Sequence, residues 1–281
     1  MNKKPDWLRV KYIEDPNREF VEEVLKKYRL NTICREANCP NSIECFSRKT
    51  ATFLILGKNC SRNCSFCNVH HNTPEPVNQS EPEMIARAIK ELGLEYAVIT
   101  SVTRDDLVDG GAGHFAEVIR CVKAISPQTA IEVLIPDLGG DIGALKIITD
   151  CFPAVISHNM ETVASLYPRI RSEAEYQRSL NIIKNIKQLN PAIHSKSGIM
   201  IGLGETKGEV QALFDDLCAV ACEFLTIGQY LAPSKDHYPV KEYIHPSLFE
   251  EYKKAALNKG FRFVASSPFV RSSYHAAEAL A

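Results

Sequence analysis

Apolar runs rich in β-branched residues alternate with amphipathic helical patterns over residues 50–230. This alternation is typical of βα units, in which consecutive strands lie parallel and a helix returns the chain to the start of the next strand. The predicted strands are residues 50–56, 96–101, 130–136, 154–157, 197–203 and 224–230. The pattern therefore predicts an α/β fold built on one parallel sheet.

The helical patterns between these strands are at residues 81–92, 114–125, 142–151, 173–189 and 208–222. A complete TIM barrel has eight βα units, whereas six strands are visible in this sequence. We therefore expect an incomplete (β/α)6 TIM-like barrel over residues 50–245, with an N-terminal extension, 1–49, and a C-terminal extension, 246–281.

Charge and hydropathy exclude several kinds of partner. The 281 residues carry a formal net charge of −1, which gives no general electrostatic reason to bind nucleic acid. Residues 1–7 lack the apolar stretch of a secretory signal, and no apolar run reaches the length of a membrane span. We therefore expect a cytoplasmic protein with neither a nucleic acid nor a membrane as partner.

Polar and glycine residues follow four of the predicted strands, at the carboxyl ends where barrel enzymes place their chemistry. They are Cys60, Cys64 and Cys67 after the first strand, Thr103, Arg104, Asp105 and Asp106 after the second, His158 and Asn159 after the fourth, and Gly202, Gly204 and Glu205 after the fifth. Residues 104–106 form either a salt-bridged loop or ligand contacts, and their place on the barrel face favours contacts. For residues 158–159 the alternative is a hydrogen-bonded polar pair in the core.

Six of the ten cysteines lie in the first 67 residues, which in a long chain indicates metal or redox chemistry rather than disulfides. Cys60, Cys64 and Cys67 form a C-x3-C-x2-C run, called here the 60–67 triplet. Structural zinc takes four ligands, whereas a four-iron cluster held by three thiolates leaves one iron open to a small molecule. The alternative is a zinc site with His70 or His71 as its fourth ligand.

Cys34, Cys39 and Cys45 form a second set, C-x4-C-x5-C, called here the 34–45 triplet. Its spacing differs from that of a zinc finger or ribbon. Taken alone, it fits a structural metal site in the extension as well as a functional cluster. The four other cysteines have apolar, helix-like neighbours, as structural core cysteines do.

The 60–67 triplet, with Phe66 before its last cysteine, resembles the defining motif of the radical S-adenosylmethionine enzymes. The two triplets in this order resemble those of the lipoyl synthases. The resemblance continues at residues 4–11, 39–41, 50–53, 104–106 with 109–112, 158–159 with 161–162, 196–198, 202–206 and 229–231 with 233. It therefore covers nearly the whole chain.

Residues 271–276, Arg-Ser-Ser-Tyr-His-Ala, resemble the C-terminal lipoyl synthase motif, whose second serine ligates an iron of an auxiliary cluster. That serine is Ser273 here, and the resemblance implies that the C-terminal extension returns to this cluster. From the residues alone, the simpler interpretation of Ser273 is the N-cap of a helix over 274–280.

The resemblance implies two [4Fe-4S] clusters and S-adenosylmethionine as cofactors. Cys60, Cys64 and Cys67 would hold the radical-forming cluster, and Cys34, Cys39, Cys45 and Ser273 the auxiliary one. Cys60, Cys64, Cys67 and Ser273 are the expected catalytic residues, and Phe66, Thr103, Arg104, Asp105, Asn159, Gly202, Gly204 and Glu205 the expected cofactor contacts.

The implied activity is that of a radical sulfurtransferase, which inserts sulfur at C6 and C8 of a protein-bound octanoyl-lysine and takes it from the auxiliary cluster. The implied partners are an octanoylated carrier (the lipoyl domain of a 2-oxoacid dehydrogenase E2 subunit or the glycine cleavage H protein), a reductant such as ferredoxin or flavodoxin, and iron-sulfur assembly proteins. The candidates for docking an acidic carrier are Lys3, Lys4, Arg9, Lys11, Arg48 and Lys49.

The sequence departs from the lipoyl synthase pattern at Glu44, Phe46 and Ser47, where Gly, Trp and Gly are usual, and at Ser61 and Ser65, where Thr and Pro are commoner. None of these is an expected iron ligand. Alternative functions are a biotin synthase or methylthiotransferase, against which the 34–45 triplet and the tail argue, and a zinc module for nucleic acid, against which the charge argues.

Overall fold

A computed structural model describes residues 4–9 and 15–280 of the chain. Its strands are β1 (Asn31–Thr32), β2 (Thr52–Ile55), β3 (Asn59–Cys60), β4 (His70–His71), β5 (Tyr96–Ser101), β6 (Ala130–Leu134), β7 (Val155–Ser157), β8 (His194–Ile201), β9 (Phe224–Gln229) and β10 (Phe263–Ser266). Eight of them form one sheet in the order β1-β2-β5-β6-β7-β8-β9-β10, and β3 pairs with β4.

The main sheet is parallel from β2 through to β10, and the edge strand β1 pairs antiparallel with β2. β1 and β10 are at opposite ends of the strand order and do not pair in the described part of the chain. The six predicted strands are present as β2, β5, β6, β7, β8 and β9. The prediction of an α/β fold of the partial TIM-barrel kind is therefore confirmed.

The helices are α1 (Pro16–Lys27), α2 (Ile33–Glu36), α3 (Ser42–Ser47), α4 (Glu81–Leu92), α5 (Ala112–Ile125), α6 (Ile142–Thr149), α7 (Tyr167–Ile170), α8 (Tyr176–Leu189), α9 (Lys207–Ala219) and α10 (Pro246–Lys259). Short 3-10 helices span Asp6–Leu8, Leu138–Gly140, Ala164–Leu166 and Ala276–Ala279. The five predicted helices correspond to α4, α5, α6, α8 and α9, with ends within three residues. No helix in residues 4–9 or 15–280 has the length and apolarity needed to span a bilayer.

The sequence prediction missed the short pair β3 and β4 and, in the main sheet, the strands β1 and β10. β10 follows α10 and adds a seventh parallel strand to the sheet, and β1 adds an antiparallel edge. Both belong to segments expected to lie outside the barrel, so each extension contributes to the same sheet. The division of the chain into three parts at residues 49 and 245 stays a prediction.

Helices cover the sheet through apolar faces at helical spacing. On α4, Ile85, Ile89 and Leu92 are buried, and the helix ends at Gly93, whose φ of +67° is a left-handed conformation that glycine adopts without strain. Each such buried side chain stabilises the fold by about 1.5–3 kcal/mol. Because the strands are parallel, this packing holds their carboxyl ends, and the loops that follow them, at one edge of the sheet.

Candidate metal centre

The 60–67 triplet lies in the loop that follows β2. Cys60 Sγ accepts hydrogen bonds from the backbone N–H groups of Arg62 at 3.4 Å and Thr103 at 3.3 Å. Burial, together with repulsion from the other thiols of the triplet, raises the pKa of the Cys64 thiol to about 11 and that of Cys67 to about 12. Partly buried thiols that repel one another as thiolates are stabilised in that form by nearby positive charge, which a metal centre supplies.

The 34–45 triplet is built on the helices α2 and α3. Cys34 is buried at the start of α2, the Cys39 backbone N–H donates to the Cys34 carbonyl at 3.1 Å, and Cys45 lies in α3. Burial raises the pKa of Cys34 to about 11 and of Cys45 to about 12, and it also raises the pKa of Cys39. Repulsion from other thiols of this triplet also raises the pKa values of Cys34 and Cys45. The 34–45 triplet is therefore a set of thiol donors with the same properties as the 60–67 triplet.

Within residues 4–9 and 15–280, no three His, Cys, Asp or Glu side chains are arranged to hold a single metal ion. His70 and His71, the alternative zinc ligands, form β4 beside β3, and their side chains are exposed. Phe66 is half-buried and packs against the apolar cluster around β8 and β9.

Arg62, between the first two cysteines of the 60–67 triplet, is clamped by two carboxylates. Its guanidinium donates to Asp105 at 2.7 and 2.8 Å and to Asp137 at 3.0 and 2.8 Å. Asp137 is fully buried and also lies 3.5 Å from Arg178. Although burial opposes ionisation, the hydrogen bonds from Arg62 lower the pKa of Asp137 to about 2. The cysteine loop is therefore anchored to the loops after β5 and β6.

The loop after β5 is salt-bridged, the first of the two alternatives for residues 104–106. Arg104 is buried and donates from Nε and Nη2 to Asp106 at 2.8 Å, and from Nη1 to the Leu56 carbonyl at 3.1 Å. Asp105 accepts from Arg62, and Thr103 contacts Cys60 through its backbone N–H. Direct contacts of these residues with a cofactor stay a prediction.

His158 and Asn159 differ in their hydrogen bonding. His158 is buried with both ring nitrogens bonded, to the Ile135 carbonyl at 2.9 Å and to Ser179 Oγ at 3.0 Å, and burial lowers its pKa to about 4. His158 is therefore a hydrogen-bonded residue of the core, which agrees with the alternative interpretation of residues 158–159 given above. Asn159 donates to Glu161 Oε1 at 3.0 Å and Ser272 Oγ at 2.6 Å, but its own Oδ1 is buried with no partner in the described residues.

Arg171 and Glu161 form a charged cluster beside Asn159 that the sequence did not predict. Arg171 Nη1 donates to the Asn159 carbonyl at 2.8 Å, and Arg171 Nε is buried with no partner in the part of the chain described. Glu161 has a φ of +66°, unusual for a residue with a side chain, and burial raises its pKa. The Arg171 guanidinium favours the thiolate of Cys64, and Glu161 disfavours it. This charged cluster therefore lies next to the 60–67 triplet.

The loop after β8 is closed on itself. Glu205 accepts from the backbone N–H groups of Gly202 at 2.6 Å and Leu203 at 2.9 Å. A Cβ at Gly202 would lie 2.3 Å from Gln229 Nε2 and 2.4 Å from the Glu242 carbonyl oxygen. Close packing by the chain itself therefore explains that glycine. Cofactor contacts of Gly202, Gly204 and Glu205 stay a prediction.

The C-terminal tail packs between the two triplets. Asn41 Nδ2, two residues after Cys39, donates to the Phe269 carbonyl at 2.6 Å, and Ser272 accepts from Asn159. Burial lowers the pKa of Arg271, and Cys39 and Glu161 oppose that shift, so the Arg271 side chain lies near both. Ser273 follows Ser272 in a turn.

The N-cap interpretation of Ser273 is wrong. The helical segment of the tail is the 3-10 helix Ala276–Ala279, its N-cap residue is His275, and Ser273 lies three residues before its start. The Ser273 hydroxyl makes no hydrogen bond within the described residues. Its assignment as an iron ligand remains to be tested.

Comparison with known proteins agrees with this geometry. The sequence model of the Radical SAM superfamily matches residues 54–217, more than half of the chain. The solved structure of a methylornithine synthase superposes with a TM-score of 0.56 at 15% identity, covering 93% of this chain and 81% of that one. The chain thus has the fold and the sequence pattern of a radical S-adenosylmethionine enzyme.

Relatives of higher identity define the family within this class. A lipoyl synthase of Alkaliphilus metalliredigens is 57% identical over 100% of this chain and 97% of its own length. One of Caldicellulosiruptor saccharolyticus is 56% identical over 98% of this chain and 97% of its own. The chain belongs to the lipoyl synthase family, whose members are radical S-adenosylmethionine enzymes that insert sulfur into octanoyl groups.

Proposed function

We propose that this protein inserts sulfur at C6 and C8 of an octanoyl group attached to a lysine of a carrier protein. The observation that carries the proposal is the placement of two thiol triplets on either side of one tail, which touches Asn41 beside the 34–45 triplet and Asn159 beside the 60–67 triplet. The 60–67 triplet can then hold the centre that forms the radical, while the 34–45 triplet holds the centre that supplies sulfur to the same octanoyl chain.

Cys60, Cys64 and Cys67 would hold a [4Fe-4S] cluster that, with bound S-adenosylmethionine, supplies a 5'-deoxyadenosyl radical. The unpartnered Asn159 Oδ1 and Arg171 Nε fit this cofactor, since one can accept from an ammonium or hydroxyl group and the other can donate to a carboxylate. Glu161, which accepts from Asn159 Nδ2, adds a second acceptor beside these atoms. Neither buried atom has a protein partner in the described residues, so a polar ligand would remove the cost of leaving them unbonded.

Cys34, Cys39, Cys45 and Ser273 would hold the auxiliary cluster. The three thiols, one buried and two partly buried, suit a soft metal centre, and a hydroxyl is a weaker partner for iron than a fourth thiolate. The proximity of Arg271 to Cys39 supports the placement of this tail beside the triplet. The resulting set has one labile oxygen ligand, as a sulfur donor requires.

The carrier would be a lipoyl domain of a 2-oxoacid dehydrogenase or a glycine cleavage H protein. Lys4, Arg9, Arg48 and Lys49 are exposed and support an acidic partner, whereas Lys3 and Lys11 lie outside the described residues. A ferredoxin or flavodoxin as reductant, and assembly proteins that restore the auxiliary cluster, complete the proposal.

The test is anaerobic reconstitution followed by iron and sulfide analysis and an assay with an octanoyl-lysine peptide and S-adenosylmethionine. We expect about eight irons per chain, 5'-deoxyadenosine, and a peptide carrying two added sulfurs. Iron in both triplets without a sulfur-containing product would contradict the proposed activity. Zinc in place of iron would favour the metal-binding alternative.

A further inference from the structure

The carboxylate of Glu44 holds two residues of the C-terminal tail. It accepts from Tyr274 Oη at 3.2 and 3.0 Å, and Glu44 Oε1 lies 3.3 Å from His275 Nε2. Glu44 belongs to α3 and directly precedes Cys45 of the 34–45 triplet. Tyr274 is thus bonded to a residue 230 positions earlier in the sequence, next to the presumed iron ligand Cys45. We call this set of contacts the Glu44 latch.

The conformation of the tail brings the side chains of Tyr274 and His275 to the same carboxylate, that of Glu44. The rings of Tyr274 and His275 stack with centroids 4.1 Å apart, and His275 has a φ of +52°. A left-handed backbone at a residue with a side chain is uncommon and persists where other contacts hold it. His275 Nδ1 is also bonded to Glu278 at 2.7 Å. The stack therefore presents both polar groups to Glu44.

Ser273 lies between two anchors and has none of its own. On one side Ser272 accepts from Asn159 at 2.6 Å, and on the other Tyr274 donates to Glu44. Within the described residues the Ser273 hydroxyl makes no hydrogen bond. Its position is therefore set by its neighbours, which leaves the hydroxyl available to a ligand.

We propose that Glu44 is a positioning residue, which through Tyr274 and His275 holds Ser273 beside the 34–45 triplet. The consequence for cluster ligation rests on the proposed function, whereas the latch itself does not. Tethering a ligand raises its effective concentration at a site without adding a contact to it. Glu44 stands where the lipoyl synthase pattern leads us to expect glycine, which has no side chain to hold a tail.

The first measurement is hydrogen exchange of the reconstituted holoenzyme, followed by mass spectrometry of peptides that cover residues 267–280. In Glu44→Ala we expect the hydrogen-exchange rate of the tail to rise about three- to tenfold. Local opening of the wild-type tail must break hydrogen bonds to a charged carboxylate, and the variant lacks them. Glu44→Gln keeps an acceptor for Tyr274 and should show a smaller rise. The control is Glu83→Gln on α4, whose carboxylate pairs with Arg87, away from the tail.

The second measurement is the Mössbauer spectrum of the auxiliary cluster in the same proteins. A held Ser273 gives one iron a distinct oxygen-ligated subsite, and we expect that subsite to be partly lost in Glu44→Ala and retained in Glu44→Gln and Glu83→Gln. Tail exchange and subsite occupancy equal to those of the wild type in Glu44→Ala would overturn the latch. A wild-type protein that makes no lipoyl product would instead contradict the proposed function, whatever the exchange shows.

A double variant tests whether Glu44 acts through the tyrosine. If Tyr274 and Glu44 act as one unit, the double variant Tyr274→Phe with Glu44→Ala should raise the exchange rate of the tail by a smaller factor than the product of the two single-variant factors. Independent, multiplicative effects would contradict the proposed route from Glu44 to Ser273 through Tyr274.

Discussion

Arg62 and Asp137 form a two-fold hydrogen-bonded ion pair, with Nη1 3.0 Å from Oδ2 and Nη2 2.8 Å from Oδ1. Both side chains are buried. The arginine lies in the cysteine loop and the aspartate follows β6, so the pair fixes the span between Cys60 and Cys64. A planar guanidinium can serve Asp105 and Asp137 together, which a lysine ammonium cannot do with the same geometry.

Replacing Arg62 by lysine should therefore loosen the 60–67 triplet. We expect Arg62→Lys to lower the free energy of unfolding by about 1–3 kcal/mol, since a buried ion pair is weakened while the charge stays. The reduced cluster should give a broadened electron paramagnetic resonance signal. Denaturant unfolding and that spectrum check the two effects. Arg87→Lys, at an exposed pair with Glu83, is the control; an Arg62→Lys protein that matches it would show that the clamp is dispensable.

The two triplets should be separable in function. Cys64→Ala should abolish 5'-deoxyadenosine formation, because the 60–67 triplet loses a thiolate. Cys39→Ala should still form some 5'-deoxyadenosine but yield no lipoyl product. Both are quantified after anaerobic reconstitution, with Cys121→Ala, outside both triplets, as a control that keeps both activities. Equal loss of cleavage in the first two variants would contradict this division.

Glu223 should make the fold sensitive to acid. Burial opposes its ionisation, but hydrogen bonds from Lys187 and Arg262 lower its pKa from the ordinary value of 4.5 to about 2. Its contribution is therefore fully present above pH 4.5 and is lost as the pH falls through 4.5 towards 2. Glu223→Gln should lower the free energy of unfolding at pH 7 by about 1–3 kcal/mol, and the difference from the wild type should shrink across that window.

Denaturant titrations between pH 7 and pH 3 check this pH dependence. Glu250→Gln, at an exposed position, should follow the wild type throughout. A Glu223→Gln deficit that stays constant with pH would show that packing, rather than ionisation, accounts for the effect.

Carrier docking should depend on salt. Charge reversal at Lys4 and Lys49, both exposed, should slow turnover of the octanoylated carrier about three- to tenfold at low salt, because surface charges mainly affect the association rate. The loss should fade towards physiological ionic strength, where charges are screened beyond about 8 Å. Lys90→Glu, exposed on α4, is the control. A loss that does not depend on salt would indicate damage to the fold.

Local sequence signals predicted the parts of this protein that are local. The six parallel strands and both cysteine triplets each come from a short pattern, so the sheet and the presumed ligands could be found. The Arg62 clamp could not, because its partners are 43 and 75 residues away. The strand β10 could not be predicted, because no amphipathic helical pattern follows it to mark a βα unit. Hydrogen bonding could not be predicted either, so the sequence does not distinguish His158, whose ring nitrogens are both bonded, from Asn159, whose Oδ1 has no partner in the described residues.

Substitution of Ser273 tests its proposed role as an iron ligand. The structure removes the N-cap alternative, because the helical segment starts at Ala276 and its N-cap residue is His275. Ser273→Ala should therefore leave the free energy of unfolding of the apo protein nearly unchanged, whereas losing an N-cap would cost about 1 kcal/mol. It should keep S-adenosylmethionine cleavage but impair sulfur insertion or the integrity of the auxiliary cluster.

Ser273→Cys separates ligation from packing. A thiolate binds iron more tightly than a hydroxyl group does, so this variant should retain about eight irons and yet make little lipoyl product. Its matched control is Ser247→Ala, an exposed serine of α10 outside the tail and both triplets, which should keep the oxygen-ligated iron subsite. Product formation, iron content and Mössbauer spectra distinguish the three variants. Full lipoyl formation by both Ser273→Ala and Ser273→Cys would show that the auxiliary cluster does not need this serine.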